Sequence, residues 1–213
     1  MKSSITIPCS CGKQVPLEII GSRLPKDARC QACGVTIHLI DPLGNIVTML
    51  LMERARQELW SGDITIATLL GAVAVEAEMA YLFFKWKAID SQKVPSNITP
   101  EDRNQWEDEW ANLRSMGKRL DELSRLLTGK PFDEFAGSNK KLLESALTGY
   151  KPAASIKDFL REQFFDKRND IAHYGKIDFQ EADGKQSLSL ATALLNLLHA
   201  MDAKRYDLTF PTK

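Results

Sequence analysis

Apolar and polar residues alternate at helical spacing along most of the chain, from about Thr48 to the C-terminal end. Apolar residues that recur every three or four positions predict amphipathic helices, and capping residues and glycines mark where these helices begin and end. The predicted helices cover residues 48–60, 64–89, 100–128, 132–147, 156–174 and 187–206. Because these segments carry no strong strand signal, the pattern predicts a mainly α fold in which five or six helices form an α-helical bundle.

The helix predicted over residues 64–89 is apolar on nearly every side, which is typical of the central helix of a bundle. Its most apolar stretch, residues 64–75, is shorter than the roughly 18 to 20 residues that cross a bilayer, and Glu76 and Glu78 follow directly. We therefore expect a buried core helix and no contact with a membrane. The first residues lack the apolar core of a signal peptide, so we expect a cytoplasmic protein.

The first 47 residues follow a different pattern, with β-branched runs, no helical periodicity and all four cysteines of the chain. The cysteines form a C-x-C pair and a C-x2-C pair that are separated by 18 residues, and a glycine follows each pair. They are Cys9, Cys11, Cys30 and Cys33. Two short turns of this kind can place four thiolates around one tetrahedral Zn²⁺, so the segment is typical of a zinc ribbon.

The sequence leaves two other states of these cysteines open, namely structural thiols and two disulfides. Disulfides are rare in the cytoplasm, and a segment of about 45 residues has too little core to fold without a staple, which favours a metal. The zinc would be structural rather than catalytic, because four thiolates leave no ligand position for water. His38 follows Cys33 by five residues and is expected to be a strand residue rather than a ligand.

These patterns divide the chain into a small N-terminal β zinc ribbon, residues 1–47, and a helical bundle, residues 48–213. The ribbon carries 5 basic and 3 acidic residues and the bundle carries 23 and 25, so the net charges are +2 and −2. Neither part has the charge of a protein that binds nucleic acid through bulk electrostatics, and RNA binding would need a local basic patch. The ribbon could dock a nucleic acid or a protein partner.

The segment KRNDIAHYGK, residues 167–176, concentrates polar chemistry at a predicted helix end that Gly175 marks. Histidine exchanges a proton near neutral pH, and the arginine fork matches the oxygens of a phosphate. On a continuous helix, Arg168 and His173 would diverge by about 140°, so they meet only if the last turn is distorted. The alternative is a structural helix end, in which Arg168 pairs with Asp166 or Asp170 and His173 suits the helix dipole.

Arg168, Asn169 and His173, as Arg-Asn-x-x-x-His near a helix end in a helical bundle, resemble the motif of the HEPN superfamily. This resemblance covers roughly residues 49–206 and implies a homodimer in which two Arg-His pairs meet in one cleft. It also implies a metal-independent endoribonuclease of a toxin–antitoxin or antiviral-defence system. In that family, His173 would act as general acid or base, Arg168 would hold the scissile phosphate, and Asn169 would position it.

Some toxin members of the superfamily carry a tyrosine two residues after the histidine, whereas Tyr174 follows His173 directly, so regulation through that tyrosine is in doubt. The competing function is a non-catalytic module that binds a nucleotide, RNA or a protein. Glu76 could brace Arg168 or His173, because a buried carboxylate needs a partner, or it could lie at a solvent-facing edge. His199 is expected to be a partly buried packing residue.

Overall fold

The computed structural model describes residues 2–8, 13–20, 27–34, 36–38, 43–92, 98–144, 146–147, 149–150, 155–175 and 177–209. The chain divides into two compact units, Met1–Ile46 and Val47–Lys213. This division falls one residue before the boundary expected from the sequence. Most of the described residues are helical, and the predicted mainly α bundle is confirmed.

The N-terminal unit contains two antiparallel hairpins. Strand β1 (Lys2–Pro8) pairs with β2 (Gln14–Ile20), and β3 (Asp27–Arg29) pairs with β4 (Thr36–His38). The β-branched residues of the ITI run in β1 suit this pleated pairing. The second cysteine pair, Cys30 and Cys33, lies in the connection between β3 and β4.

The second unit consists of helices, and the first of them begins just before the division. Their bounds are α1 Leu43–Ser61, α2 Ile64–Asp90, α3 Pro100–Asn112, α4 Met116–Thr128, α5 Phe132–Ser138, α6 Ile156–Leu160, α7 Asp166–Tyr174 and α8 Glu181–Thr209. A 3₁₀ turn (Lys140–Leu142) follows α5, and a π-helical turn (Arg161–Phe165) joins α6 to α7 without a break.

The prediction of a single helix over residues 100–128 is wrong, because α3 ends at Asn112 and α4 begins at Met116. Ser115 starts the new helix, since its hydroxyl accepts a hydrogen bond from the backbone N–H of Lys118 at 3.3 Å. The Nε of Arg119 donates to the carbonyl oxygen of Leu113 at 3.0 Å, which gives this carbonyl between α3 and α4 a hydrogen-bond partner. Three further bounds differ by five residues or more: α1 begins at 43 rather than 48, α5 ends at 138 rather than 147, and α8 begins at 181 rather than 187.

Helices α2 and α8 form the centre of the bundle and run parallel, because the residue numbers at their contacts rise together. Near their beginnings, a Cβ placed on Gly71 would lie 3.6 Å from the Cβ of Ala191. Further along, the indole Nε1 of Trp86 donates to Oδ1 of Asp202 at 2.6 Å. The small residues allow close approach at one end, and the polar contact fixes the register of the two helices at the other.

By length and composition, α2 could cross a membrane, since it has 27 residues and a window of mean hydropathy 1.6. In this fold its large side chains lie in the core of the bundle, among them Met79, Leu82, Phe83 and Trp86. Burial of each such side chain stabilises the bundle by about 1.5–3 kcal/mol. The apolar surface of α2 is thus used for packing against the helices around it.

Candidate functional site

The segment that carries the Arg-His motif is one continuous helix with a widened turn in its middle. Ser155 caps its beginning, because its hydroxyl accepts from the backbone N–H of Asp158 at 3.1 Å. The π-helical turn that follows buries two consecutive aromatic side chains, Phe164 and Phe165, in the core. A π turn shifts every later residue around the helix axis and often occurs at functional sites. Gly175, with φ 63°, then ends the helix.

Arg168 forms an ion pair with Glu76 of the central helix. Nη2 of Arg168 donates to Oε2 of Glu76 at 3.2 Å, and Nε lies 3.1 Å from Oε1. The side chains are 25% and 22% exposed, so solvent screens this pair only partly. The sequence left open whether Glu76 contacts Arg168, contacts His173 or lies at a solvent-facing edge, and the contact with Arg168 is the one present. Asp166 lies 4.0 Å from Arg161.

The remaining donors of Arg168 suit a phosphate. Nη1 donates to Oδ1 of Asn169 at 3.0 Å and Nη2 donates to Oε2 of Glu76, while Nε is buried and makes no hydrogen bond within the described residues. One N–H on each of Nη1 and Nη2 is left. Donors of this kind can bind the oxygens of a phosphate.

His173 and Tyr174 are exposed and line the same groove as Glu76, Arg168 and Asn169. The groove has a volume of about 720 Å³. Helix α7 stays regular to Tyr174, so the distortion that would bring His173 onto Arg168 is absent, and within the described residues no hydrogen bond joins the two side chains. In the same part of the chain no hydrogen bond holds the exposed His173 ring.

The rest of the groove comes from residues that the sequence pattern did not single out, at the start of α4 and along α6. Six basic and four acidic residues line it in all. The basic residues are Arg114, Lys118, Arg119, Lys157, Arg161 and Arg168, and the acidic residues are Glu76, Asp121, Asp158 and Asp166. This lining is a local basic surface on a bundle of negative net charge. The cap at Ser115 was the one available sequence signal, since it predicts a helix start beside Arg114 and Lys118.

Glu78 is the more deeply buried acid of α2 and lies outside the groove, with 1% of its side chain exposed. Its Oε1 lies 3.2 Å from Nε2 of His199 on α8. This hydrogen bond raises the pKa of His199 above its ordinary value of 6.5, although partial burial of the ring opposes the shift. His199 is half-exposed and is the polar partner of the buried Glu78 carboxylate. The sequence predicted only a packing role for His199 and not this contact.

The second cysteine pair lies in the turn between β3 and β4. Cys30 is buried, Cys33 is exposed, and the N–H of Gly34 donates to the carbonyl oxygen of Cys30 at 2.8 Å. Gly34 has φ 74°, a conformation that glycine adopts without strain. This turn and its two thiols fit half of a tetrahedral zinc site.

The other half of the predicted zinc site, Cys9 and Cys11, lies outside the described residues. Among the residues that are described, no group of three or more His, Cys, Asp or Glu side chains could hold a metal ion. His38 lies in β4, opposite Asp27 of β3. The zinc site therefore stays a prediction.

No protein-family model, curated protein or solved structure matches the chain. A helical bundle supports many unrelated functions, so the chemistry of the groove has to carry any inference about activity.

Proposed function

We propose that the helical unit is a HEPN-like endoribonuclease that cleaves RNA without a metal ion. The observation that carries this proposal is the groove in which Arg168, fixed by Glu76, shares one solvent-filled space with Asn169 and His173. A fixed guanidinium with two remaining donors can bind a phosphate, and an exposed imidazole beside it can exchange a proton. No metal-bound water and no nucleophile from the enzyme is needed, because RNA carries its own 2′-hydroxyl.

The reaction is an internal transfer at phosphorus. The 2′-oxygen forms a bond to the adjacent phosphorus, the bond to the 5′-oxygen breaks, and the products are a 2′,3′-cyclic phosphate and a 5′-hydroxyl. One proton leaves the 2′-hydroxyl and one reaches the departing 5′-oxygen. His173 carries out one of these transfers, Arg168 stabilises the charge on the phosphate oxygens, and Asn169 orients the phosphate through its amide.

A homodimer would complete this chemistry, because one exposed histidine cannot act as acid and base on opposite sides of the phosphorus at once. Two copies of α7 facing one cleft would supply two imidazoles, one for each transfer. The exposed position of His173 at the end of α7 is compatible with such an arrangement.

The N-terminal unit is proposed to be a zinc ribbon that docks RNA or a protein partner. Cys9, Cys11, Cys30 and Cys33 would hold the ion, which would stabilise the two hairpins and take no part in RNA cleavage. The whole protein would then act in the cytoplasm as an effector of a toxin or antiviral-defence system.

The test is cleavage of a mixed RNA pool in EDTA by the wild-type chain and by His173→Ala. His199→Gln is the matched control, since it removes a half-exposed histidine outside the groove. We expect the wild type and the control to produce 2′,3′-cyclic phosphate ends and His173→Ala to produce none. Zinc content and dimer state are measured for all three proteins. A folded, zinc-loaded wild-type dimer that leaves RNA intact would instead favour a non-catalytic binding module.

A further inference from the structure

We propose that the groove takes single-stranded RNA, with a phosphate next to the scissile one bound by Arg114 and Lys118 and an unpaired base stacked on Tyr174. This inference rests on the proposed function and names its substrate class. Three features of the groove carry it: the distribution of unneutralised charge, the fixed position of the start of α4, and the exposure of one aromatic ring.

Two of the six basic residues that line the groove, Arg114 and Lys118, have no side-chain partner within the described residues. Four of the six basic side chains already have partners: Lys157 pairs with Asp121, Arg161 with Asp158, and Arg168 with Glu76. Arg119 donates to a backbone carbonyl, and its guanidinium lies 4.9 Å from the centre of the Trp110 ring.

Arg114 and Lys118 are both exposed, and within the described residues neither pairs with a carboxylate. A groove that leaves two cations without a counter-charge is suited to an anion from outside the chain. Because Arg168 would hold the scissile phosphate, these two cations are suited to a neighbouring one.

The backbone that carries these two cations is held in place. Ser115 caps α4 between them, and a Cβ on Gly117 would contact the Lys157 side chain at 3.5 Å. Lys157 is itself fixed by its ion pair with Asp121 one turn further along α4. The start of α4 is thus seated on a side chain that lines the same groove, so its cations keep a constant position relative to it.

Tyr174 supplies the selectivity for single strands. Its side chain is 82% exposed, although it directly follows His173 and lines the groove. Unpaired bases stack on exposed aromatic rings, whereas the bases of a duplex are already stacked on one another. A ring in this position can therefore hold a base next to the reacting phosphate only when the strand is single.

The experiment measures binding of a fluorescein-labelled random 12-nucleotide RNA whose 2′-oxygens are methylated, so that it cannot be cut. Fluorescence anisotropy with the full-length chain is recorded from about 50 to 300 mM salt. In Arg114→Ala/Lys118→Ala we expect weaker binding and a slope of log K against log salt that is shallower by about 0.7, because one single-strand phosphate is no longer neutralised.

The control Arg103→Ala/Lys141→Ala removes one arginine and one lysine that are exposed outside the groove, and it should leave that slope unchanged. Tyr174→Ala should weaken binding of the single strand about 10-fold with an unchanged slope, and Tyr174→Phe should restore it. A methylated duplex of one fixed 12-nucleotide sequence and its complement should bind the wild type, Tyr174→Ala and Tyr174→Phe with equal affinity.

The inference is overturned if the two double variants have the same slope, if Tyr174→Ala weakens duplex binding equally, or if the wild type does not bind. These outcomes are separate from the fate of the proposed function, because the methylated RNA reports binding alone. Binding as predicted with unmodified RNA left intact would refute the ribonuclease and keep the groove as a single-strand binding site. If the wild type cleaves RNA but Arg114→Ala/Lys118→Ala binds it normally, the ribonuclease is kept and the proposed phosphate site is refuted.

Discussion

The ion pair between Glu76 and Arg168 should be worth more than an ordinary surface pair, and Glu76→Gln tests this. Exposed pairs contribute about 0–1 kcal/mol, whereas removal of one partner of a fully buried pair costs about 3–5 kcal/mol. With 22% and 25% of the two side chains exposed and two contacts at 3.1 and 3.2 Å, the pair lies between these limits. We expect Glu76→Gln to lower the free energy of unfolding by about 2 kcal/mol, which is a fall in Tm of about 4–8 °C.

A double-mutant cycle isolates the contact from other effects of the substitution. Urea unfolding of the wild type, Glu76→Gln, Arg168→Gln and the double variant should give a coupling energy of about 1–2 kcal/mol. The matched control is the Glu181–Lys185 pair on α8, which is 67% exposed on both sides. Glu181→Gln with Lys185→Gln should show no measurable coupling, because solvent screens a fully exposed pair. A coupling for Glu76 and Arg168 no larger than that of the control would refute the idea that Glu76 fixes the guanidinium.

The same substitution should also slow RNA cleavage. Displacement of a phosphate-binding group by about 1 Å can cost about 100-fold in rate, so Glu76→Gln should reduce single-turnover cleavage by about 10- to 100-fold. Cleavage at the wild-type rate by a destabilised Glu76→Gln variant would show that Arg168 acts without its ion pair to Glu76.

Three further predictions concern the histidine pair, the end of α7 and the ribbon. Because Glu78 raises the pKa of His199 above 6.5, its stabilising contribution is complete below pH 6.5 and is lost as pH rises through the folded-state pKa. The excess unfolding free energy of the wild type over His199→Gln should therefore fall as pH rises above 6.5 in urea titrations, and parallel curves would contradict this. Gly175→Ala, at φ 63°, should cost about 1–2 kcal/mol in thermal unfolding, whereas Gly137→Ala, a helical position with open space, should cost nothing; equal effects would contradict the helix end. Cys30→Ser should lower bound zinc, measured by mass spectrometry, from one ion per chain, and an unchanged zinc content would exclude this thiolate as a ligand.

Local signals along the chain predicted the parts of the fold that depend on neighbouring residues. The apolar stretch of α2, the Thr99–Pro100 start of α3 and the glycine at the end of α7 lie where the sequence put them. The break between α3 and α4 was missed, because no glycine or proline lies between the two helices and only the cap at Ser115 marks the start of α4.

The groove depends on contacts between distant segments and was predicted only in part. The rule that a carboxylate in an apolar helix needs a partner gave Arg168 and His173 as candidates for Glu76 and did not choose between them. The same rule applies to Glu78, but the partner could not be chosen from the sequence, because His199 lies 121 positions away on a helix whose register is set by packing. The cations at the start of α4 join the groove only through the way α4 and α6 pack.

The central claim is that the groove cleaves RNA through attack of the 2′-oxygen, and one substrate tests it most directly. A random-sequence DNA oligonucleotide with a single ribonucleotide in its middle offers only one 2′-hydroxyl. We predict that the wild-type chain in EDTA cuts it only on the 3′ side of that ribonucleotide, leaves a 2′,3′-cyclic phosphate, and spares the same oligonucleotide with a 2′-O-methyl group. Cleavage of the 2′-O-methyl substrate would contradict the claim that the 2′-oxygen attacks. The claim would also be contradicted if the enzyme spared both DNA oligonucleotides but cut all-RNA to products with 3′-hydroxyl ends.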